Sequence, residues 1–339
     1  MFMKKFLFSL LLLCGCVLTS IAQDVKTLHE TAQNYLRDGD YQNAIIVLGK
    51  ALEVEPTNKE LLKDLLFANY LKRDFAKAIE IGKPLVERED SDLRSFQLLG
   101  LVYKQIAEFK ECEKMYKKGI KKFPNAGILY SEYGELLASK EISNAIKQWE
   151  KGVEADVNFS TNYYYVAKYY AQIGELLWSM LYAEMFLNLE SYTTKSNEMK
   201  VLLLDQYKKF YSSNDQKDNF FAIKTNAFTN NVARAMIKQQ NQATLGITPE
   251  TLTAIRTRFI LDWYDKYADK FPFRLFDHQR QLLQEGYFES YNQWLFGAAT
   301  NNEAYQKWQK DHAEEMSGFL NFTRQRIFKI PPGQQYRNF

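Results

Sequence analysis

The chain is poor in the residues that build covalently stapled or metal-centred folds. Of its 339 residues only three are cysteine and three histidine. Cys14 and Cys16 lie within the first 22 residues, leaving Cys112 alone beyond them. A chain with a single thiol forms no internal disulfide, and so few Cys and His leave no clustered zinc pattern. Proline and glycine are sparse too, at 7 and 15, so helices can run with few breaks. No convincing alternation of apolar and polar residues marks a strand. Charge of one sign is also missing, with 44 basic against 41 acidic residues. Nucleic-acid binders carry a basic stripe, and no nucleic-acid partner is expected here.

Long apolar runs occur once. MFMKKFLFSLLLLCGCVLTSIAQ has basic Lys4 and Lys5, an apolar run from Phe6 to Leu18 and small residues before Gln23. This is the pattern of a secretory leader, with Ser20 and Ala22 placed for cleavage after Ala22 and export to the periplasm or cell envelope. The run falls short of the roughly 20 apolar residues of a spanning helix, and no transmembrane segment is expected. Leu13-Cys14-Gly15-Cys16 faintly resembles a lipoprotein site, which leaves acylation of Cys16 as an alternative. Loss of Lys4 and Lys5 with the leader leaves 42 basic against 41 acidic residues, a net charge near +1.

What the chain has in abundance is a repeated spacing of small and large apolar residues. From Val25, Leu28, Ala32 and Tyr35 fit a first helix, Asp38-Gly39-Asp40 a turn, and Ala44, Leu48 and Ala51 a second helix closed by Pro56. The pattern returns after about 34 residues with Leu62, Leu66, Phe75, Ala78 and Leu85. It returns again with Leu99-Gly100, Tyr103, Phe109, Cys112, Tyr116, Gly119 and Pro124. A fourth unit from Gly127 carries Tyr130, Tyr133-Gly134, Leu137, Ala145, Trp149 and Gly152. A fifth from about Ser160 carries Tyr163, Val166-Ala167, Tyr170, Gly174, Ser179 and Phe186. Cys112 falls at a small-residue packing position and is read as a buried thiol. Pro84 inside the second helix of unit two predicts a kink.

With these residues in register, the stretch 23–193 resembles the tetratricopeptide repeat family. The resemblance implies an all-α solenoid of about five helix pairs whose inner wall, lined by first helices, holds an extended peptide or a partner helix. The outward positions of those helices are His29, Gln33 and Arg37, then Lys63, Phe67 and Tyr70, then Gln97 and Lys104, then Ser131 and Glu135, and finally Tyr164 and Lys168. This cationic, aromatic and amide mixture suits an acidic or C-terminal carboxylate ligand. The asparagine clamp that some family members use is absent, since Asn69 sits at a packing position.

Beyond 193 the spacing predicts connecting helices over 194–245 and a helical C-terminal domain over 246–339. Met199, Leu202, Leu203, Tyr207 and Phe210 mark a capping helix; Phe221, Phe228, Val232 and Met236 mark another. Thr248-Pro249-Glu250 reads as a helix start, with Leu252, Ile255, Phe259, Trp263 and Tyr267 on one face and a stop at Phe271-Pro272-Phe273. Asp277 is expected to cap a helix carrying Leu283, Tyr287, Tyr291 and Leu295 to a stop at Gly297. A last helix is expected from Asn302 to about Phe328.

Catalytic candidates are thin. Asp277-His278 and His312 with Glu315 are the only suggestive pairs, and structural histidine is the better reading. No nucleophile elbow, phosphate loop or HExxH is present. No cofactor or metal is expected, and the chain reads as a non-enzymatic scaffold for a protein or peptide in the bacterial envelope. The alternative is a glycan- or lipid-associated protein using Tyr287, Phe288, Tyr291, Trp294 and Phe296 as a platform, set against their reading as core. Arg324, Arg326, Lys329 and Arg337 give the tail a basic character suited to anionic headgroups or an acidic partner.

Overall fold

Small residues at Ala32, Ala44 and Ala51 let neighbouring helices close on one another, and all three are fully buried. They belong to the first of five helix pairs in a computed structural model that describes residues 24–212 and 226–334. The expected leader, its cut after Ala22 and Cys16 lie outside the described residues, as do Phe221 and Arg337.

The described residues fall into two compact units divided after Pro124. The first holds α1 (24–37), α2 (Tyr41–Val54), α3 (Lys59–Leu71), α4 (Phe75–Glu87), α5 (Leu93–Gln105) and α6 (Phe109–Lys122). In the second, α7 (Gly127–Ala138) pairs with α8 (Ile142–Ala155), and α9 (Ser160–Gln172) pairs with α10 (Leu176–Leu189). Further helices follow: α11 (Thr194–Ser212), α12 (Ala227–Ile237), α13 (Pro249–Lys266), α14 (Arg274–Gln284), α15 (Phe288–Asn292), α16 (Asn302–Asp311) and α17 (Ala313–Gln325). Among the described residues every regular element is helical, and no helix is long and apolar enough to cross a membrane.

The first unit shows how sequence sets helix boundaries. Asp40, Asn58, Asp74 and Asp92 each precede a helix and accept hydrogen bonds from its first-turn amides, from Asn43, from Glu60 and Leu61, from Lys77 and from Ser95. Such caps satisfy donors that a helix start leaves bare. The turn inside each pair needs one left-handed residue. Gly39, Arg73 and Ala107, at steps of 34 residues, have φ of 78°, 66° and 57°. The period read from side chains is thus also written in the backbone, although only Gly39 is there without steric cost. Each cluster then joins a pair to the first helix of the next, Ala44 and Leu48 with Leu61 in one and Leu66, Ala78 and Leu85 with Val102 in the other. The expected proline kink is not an interruption: α4 runs through Pro84 to Glu87.

The second unit is organised differently. In α10 all twelve residues from Leu176 to Leu187 are buried, so this helix is covered on every side. One hydrophobic core runs from Ala145 to Ile330 and includes both repeat helices and the later ones. This core lies within the unit that begins at Asn125. A polar group on α10 ties this core together. Glu184 accepts hydrogen bonds from Arg256 on α13, from Gln279 Nε2 on α14 at 2.7 Å and from the Tyr291 hydroxyl on α15 at 2.8 Å. Arg256 also donates to Asn292, and its guanidinium lies 5.4–6.0 Å from the rings of Tyr207, Phe288, Tyr291 and Phe296.

Several C-terminal expectations need correction. α13 starts as foreseen, with a Thr248–Thr251 capping box, but ends at Lys266. Asp277 does not cap α14, which starts three residues earlier; its carboxylate accepts from the Tyr264 hydroxyl. Gly286, at φ 79°, breaks the helix expected to carry both Leu283 and Tyr291. Gly297 does not stop α15, which continues through a π-turn at Gln293–Gly297 into Ala298–Thr300. The last helix is two, parted at His312, whose φ of −120° leaves the helical region.

Two outcomes are expected in urea unfolding. Ala107→Gly should raise stability by about 0.5–1 kcal/mol, because it removes left-handed strain from an exposed turn; an unchanged or lower midpoint would contradict the strain. Arg256→Met should cost about 3–5 kcal/mol by stranding Glu184, and adding Glu184→Met should recover part of that loss.

Candidate partner-binding wall

Twelve side chains were expected to line the first-helix wall, and the structure sorts them. In the first unit His29 Nε2 lies 2.7 Å from Asp64 Oδ2, to which Gln33 also donates at 3.3 Å, linking α1 to α3. Arg37 is exposed and donates to Asn34. Lys63 is not outward: only 7% exposed, it donates to Asp92 Oδ2 at 2.6 Å and pairs with Glu60 at 2.7 Å. Burial works against the Lys63 charge, but the bonds to Asp92 and Glu60 outweigh it and raise its pKa. Phe67 and Tyr70 are half-buried and stacked at 6.3 Å, and the Arg94 guanidinium stands 5.8 Å from the Phe67 ring. Gln97 and Lys104 are half-buried on the same helix.

In the second unit Ser131 is 1% exposed, so it too is corrected from wall to core; its carbonyl accepts from Trp149 Nε1 at 3.2 Å. Tyr164, expected outward, is 6% exposed, with its hydroxyl donating to Glu198 at 2.5 Å. Lys168 is exposed and bridges Glu198 Oε1 at 2.7 Å and the Tyr164 hydroxyl at 3.2 Å. The bonds from Lys168 and from the Tyr164 hydroxyl hold the Glu198 carboxyl below its ordinary range. Lys195, which the sequence reading did not single out, sits 5.2 Å from the Tyr164 ring and 5.8 Å from that of Tyr165.

Glu135 and Lys168 come together at a cavity of about 530 Å³, whose other walls include Ile142, Trp149, Tyr165 and Tyr169. Trp149 and Tyr165 are stacked at 4.7 Å, and the Tyr165 hydroxyl donates to Glu135 Oε1 at 2.7 Å. The recess thus joins flat aromatic walls to a rim of opposite charges, which suits an apolar side chain with polar groups beside it. Tyr165 and Tyr169 were missed because three tyrosines in a row, Tyr163 to Tyr165, give period alone no means to say which faces out.

The other candidate sites fare differently. Among the described residues no group of three or more His, Cys, Asp and Glu could hold a metal. His312 Nδ1 lies 3.6 Å from Glu315, and the ring stacks on Trp308. The aromatic platform is overturned: Phe288, Tyr291, Trp294 and Phe296 are buried and Tyr287 half-buried. Arg324, Arg326 and Lys329 are exposed, but the segment is not a loose tail, since Ile330 exchanges two hydrogen bonds with Asn158 at 2.8 and 3.3 Å.

Asp92 links the wall to stability. It caps α5 and binds Lys63; burial opposes its charge, and these bonds overcome it and pull its pKa from 3.8 to about 2. A lowered folded pKa stabilises above the unfolded value, and the contribution disappears as pH falls through the folded one. Near neutral pH, Asp92→Ala should cost about 2 kcal/mol and Asp92→Asn, which still caps, about 1 kcal/mol. The gap between wild type and Asp92→Asn should close between pH 3.8 and about 2 in denaturation curves.

Comparison with known proteins adds to this geometry. The tetratricopeptide repeat family model matches residues 25–58 and 93–124, which are the first and third helix pairs. No curated protein matches the sequence significantly. Among solved structures, PilF of Pseudomonas aeruginosa is 15% identical, covering 56% of this chain and 86% of its own, at a TM-score of 0.47. A thermophilic TPR protein of Thermus thermophilus is 16% identical over 54% and 98%, at 0.40. YrrB, described as a TPR protein with an unusual peptide-binding site, is 14% identical over 55% and 96%, at 0.39. Residues 25–58 and 93–124 thus carry tetratricopeptide repeats, and the left-handed turns of the first unit keep the same 34-residue step.

Proposed function

We propose that the chain is an exported, non-enzymatic scaffold that holds a protein or peptide partner in the bacterial cell envelope on the first-helix wall of its repeats. The observation that carries this reading is the 530 Å³ recess between Glu135 and Lys168. Its half-buried Tyr165 and Tyr169 surfaces, with buried Trp149 stacked behind Tyr165, offer aromatic contact area at low entropic cost, as binding anchors require. Its rim groups already pair with neighbours, so a ligand exchanges one polar partner for another, a situation that favours specificity over raw affinity. The leader-like segment before Gln23 supports export, and the scarcity of histidine and thiol groups supports binding as the role.

Lys63 is unsuitable as a probe of this reading, because it is buried and its removal would cost stability through its pairs with Asp92 and Glu60. Glu135 and Lys168 are better placed. The double variant Glu135→Ala, Lys168→Ala should keep its helical content, since exposed ion pairs contribute under about 1 kcal/mol. It should lose crosslinked partners in envelope fractions by about tenfold, the equivalent of about 1.4 kcal/mol. A variant that keeps every partner of the wild type would end the recess as the binding site.

A further inference from the structure

A second cavity, of about 220 Å³, lies within the second unit, between the end of α10 and the C-terminal helices. Two nitrogens in its lining are buried and have no hydrogen-bond partner, Trp294 Nε1 and His278 Nε2. Their residues are 7% and 3% exposed. Buried polar atoms are nearly always satisfied, so two orphans on residues that line one cavity call for a ligand group there. The indole N–H can only donate, and His278 Nε2 donates in one of its neutral tautomers. Burial and the neighbouring Arg274 push the imidazole pKa down to about 3, so the ring is neutral.

The charge around the cavity has one sign. Arg324 and Arg326 line it, and no carboxylate does. Outside the lining, Glu285 accepts from Arg326 at 3.5 Å. Lys200 Nζ stands 4.2 Å from the Trp294 ring centroid, and it has no carboxylate partner among the described residues. The remaining lining is apolar, with Phe319 and Phe328 buried and Tyr192 and Ile327 left 72% and 74% exposed. Large apolar side chains held open at a cavity mouth are a surface waiting for cover.

We infer that this cavity binds a small monocarboxylate with an aromatic or short aliphatic body. Its carboxylate accepts from Trp294 and His278 in the positive field of Arg324, Arg326 and Lys200, while its body rests against Phe319 and Phe328 under Tyr192 and Ile327. The site is independent of the repeat wall, and the Glu135 and Lys168 variants leave it untouched.

Calorimetric titration of the full chain with phenylacetate, indole-3-acetate and octanoate tests the inference, with 2-phenylethylamine as the cationic match of the first. At least one acid should bind with a stoichiometry near one, and the amine should not. Trp294→Phe, which keeps a ring and removes the N–H, and Arg324→Gln, at an exposed position, should each weaken that acid by about tenfold. Arg324→Gln carries the test alone if Trp294→Phe lowers the melting temperature. The inference is overturned if no acid binds at millimolar concentration, if the amine binds as well, or if the soluble variants bind like wild type.

Discussion

A charged pair in an apolar interior governs the second unit. Glu184 stands in the middle of a helix that is buried from Leu176 to Leu187, and a carboxylate there is intolerable unless it is paired and fully hydrogen-bonded. Arg256, Gln279 and Tyr291 meet that need from three later helices. A hydrophobic core could be satisfied by several packings of similar volume, but these bonds admit one. This is the specificity role that buried ionic groups can serve at some cost in stability. Its consequence reaches the wall, because α10 packs on α9, and α9 carries Tyr165, Lys168 and Tyr169.

The first unit has no comparable centre. Its cores are small and join each pair to the next, α2 to α5 begin on side-chain caps, and contacts such as His29–Asp64 and Lys63–Asp92 reach one repeat onward. Stability in such an arrangement is close to a sum of repeat and nearest-neighbour contributions. Loss of one cap or one ion pair should therefore be felt locally, whereas loss of Arg256 should be felt throughout the second unit.

The sequence was most legible where one local force decides. Small residues at packing positions and the Thr248-Pro249 start placed their helices well. It was least legible where tertiary contacts compete. Helical spacing put Lys63 and Ser131 on an outward face, yet Lys63 follows its carboxylates inward and Ser131 lies under Trp149. Periodicity carried through Gly286 and His312 because the residues on either side keep an apolar rhythm, while backbone geometry breaks there. Glu184 could have been noticed as the single charge in LLWSMLYAEMFLNL, and Arg256 as a charge on the face of Leu252 and Phe259. Neither signal alone says that the two meet across 72 residues.

The aromatic load of the C-terminal half shows how a mistaken exposure can still mark the right neighbourhood. Tyr291 and Trp294 do not form an open platform, since they stack on each other at 5.8 Å and pack against Phe319. Tyr291 finds its hydrogen bonds in the Glu184 network, whereas the Trp294 indole N–H finds none. The two differ in position: Tyr291 lies on α15 and Trp294 within the π-turn at Gln293–Gly297. π-turns persist where a structure tolerates a less regular helix in exchange for a re-aimed side chain. Here the Trp294 side chain carries an unsatisfied donor and lines a cavity together with Arg324 and Arg326, and packing alone gives no reason for the donor to be left without a partner.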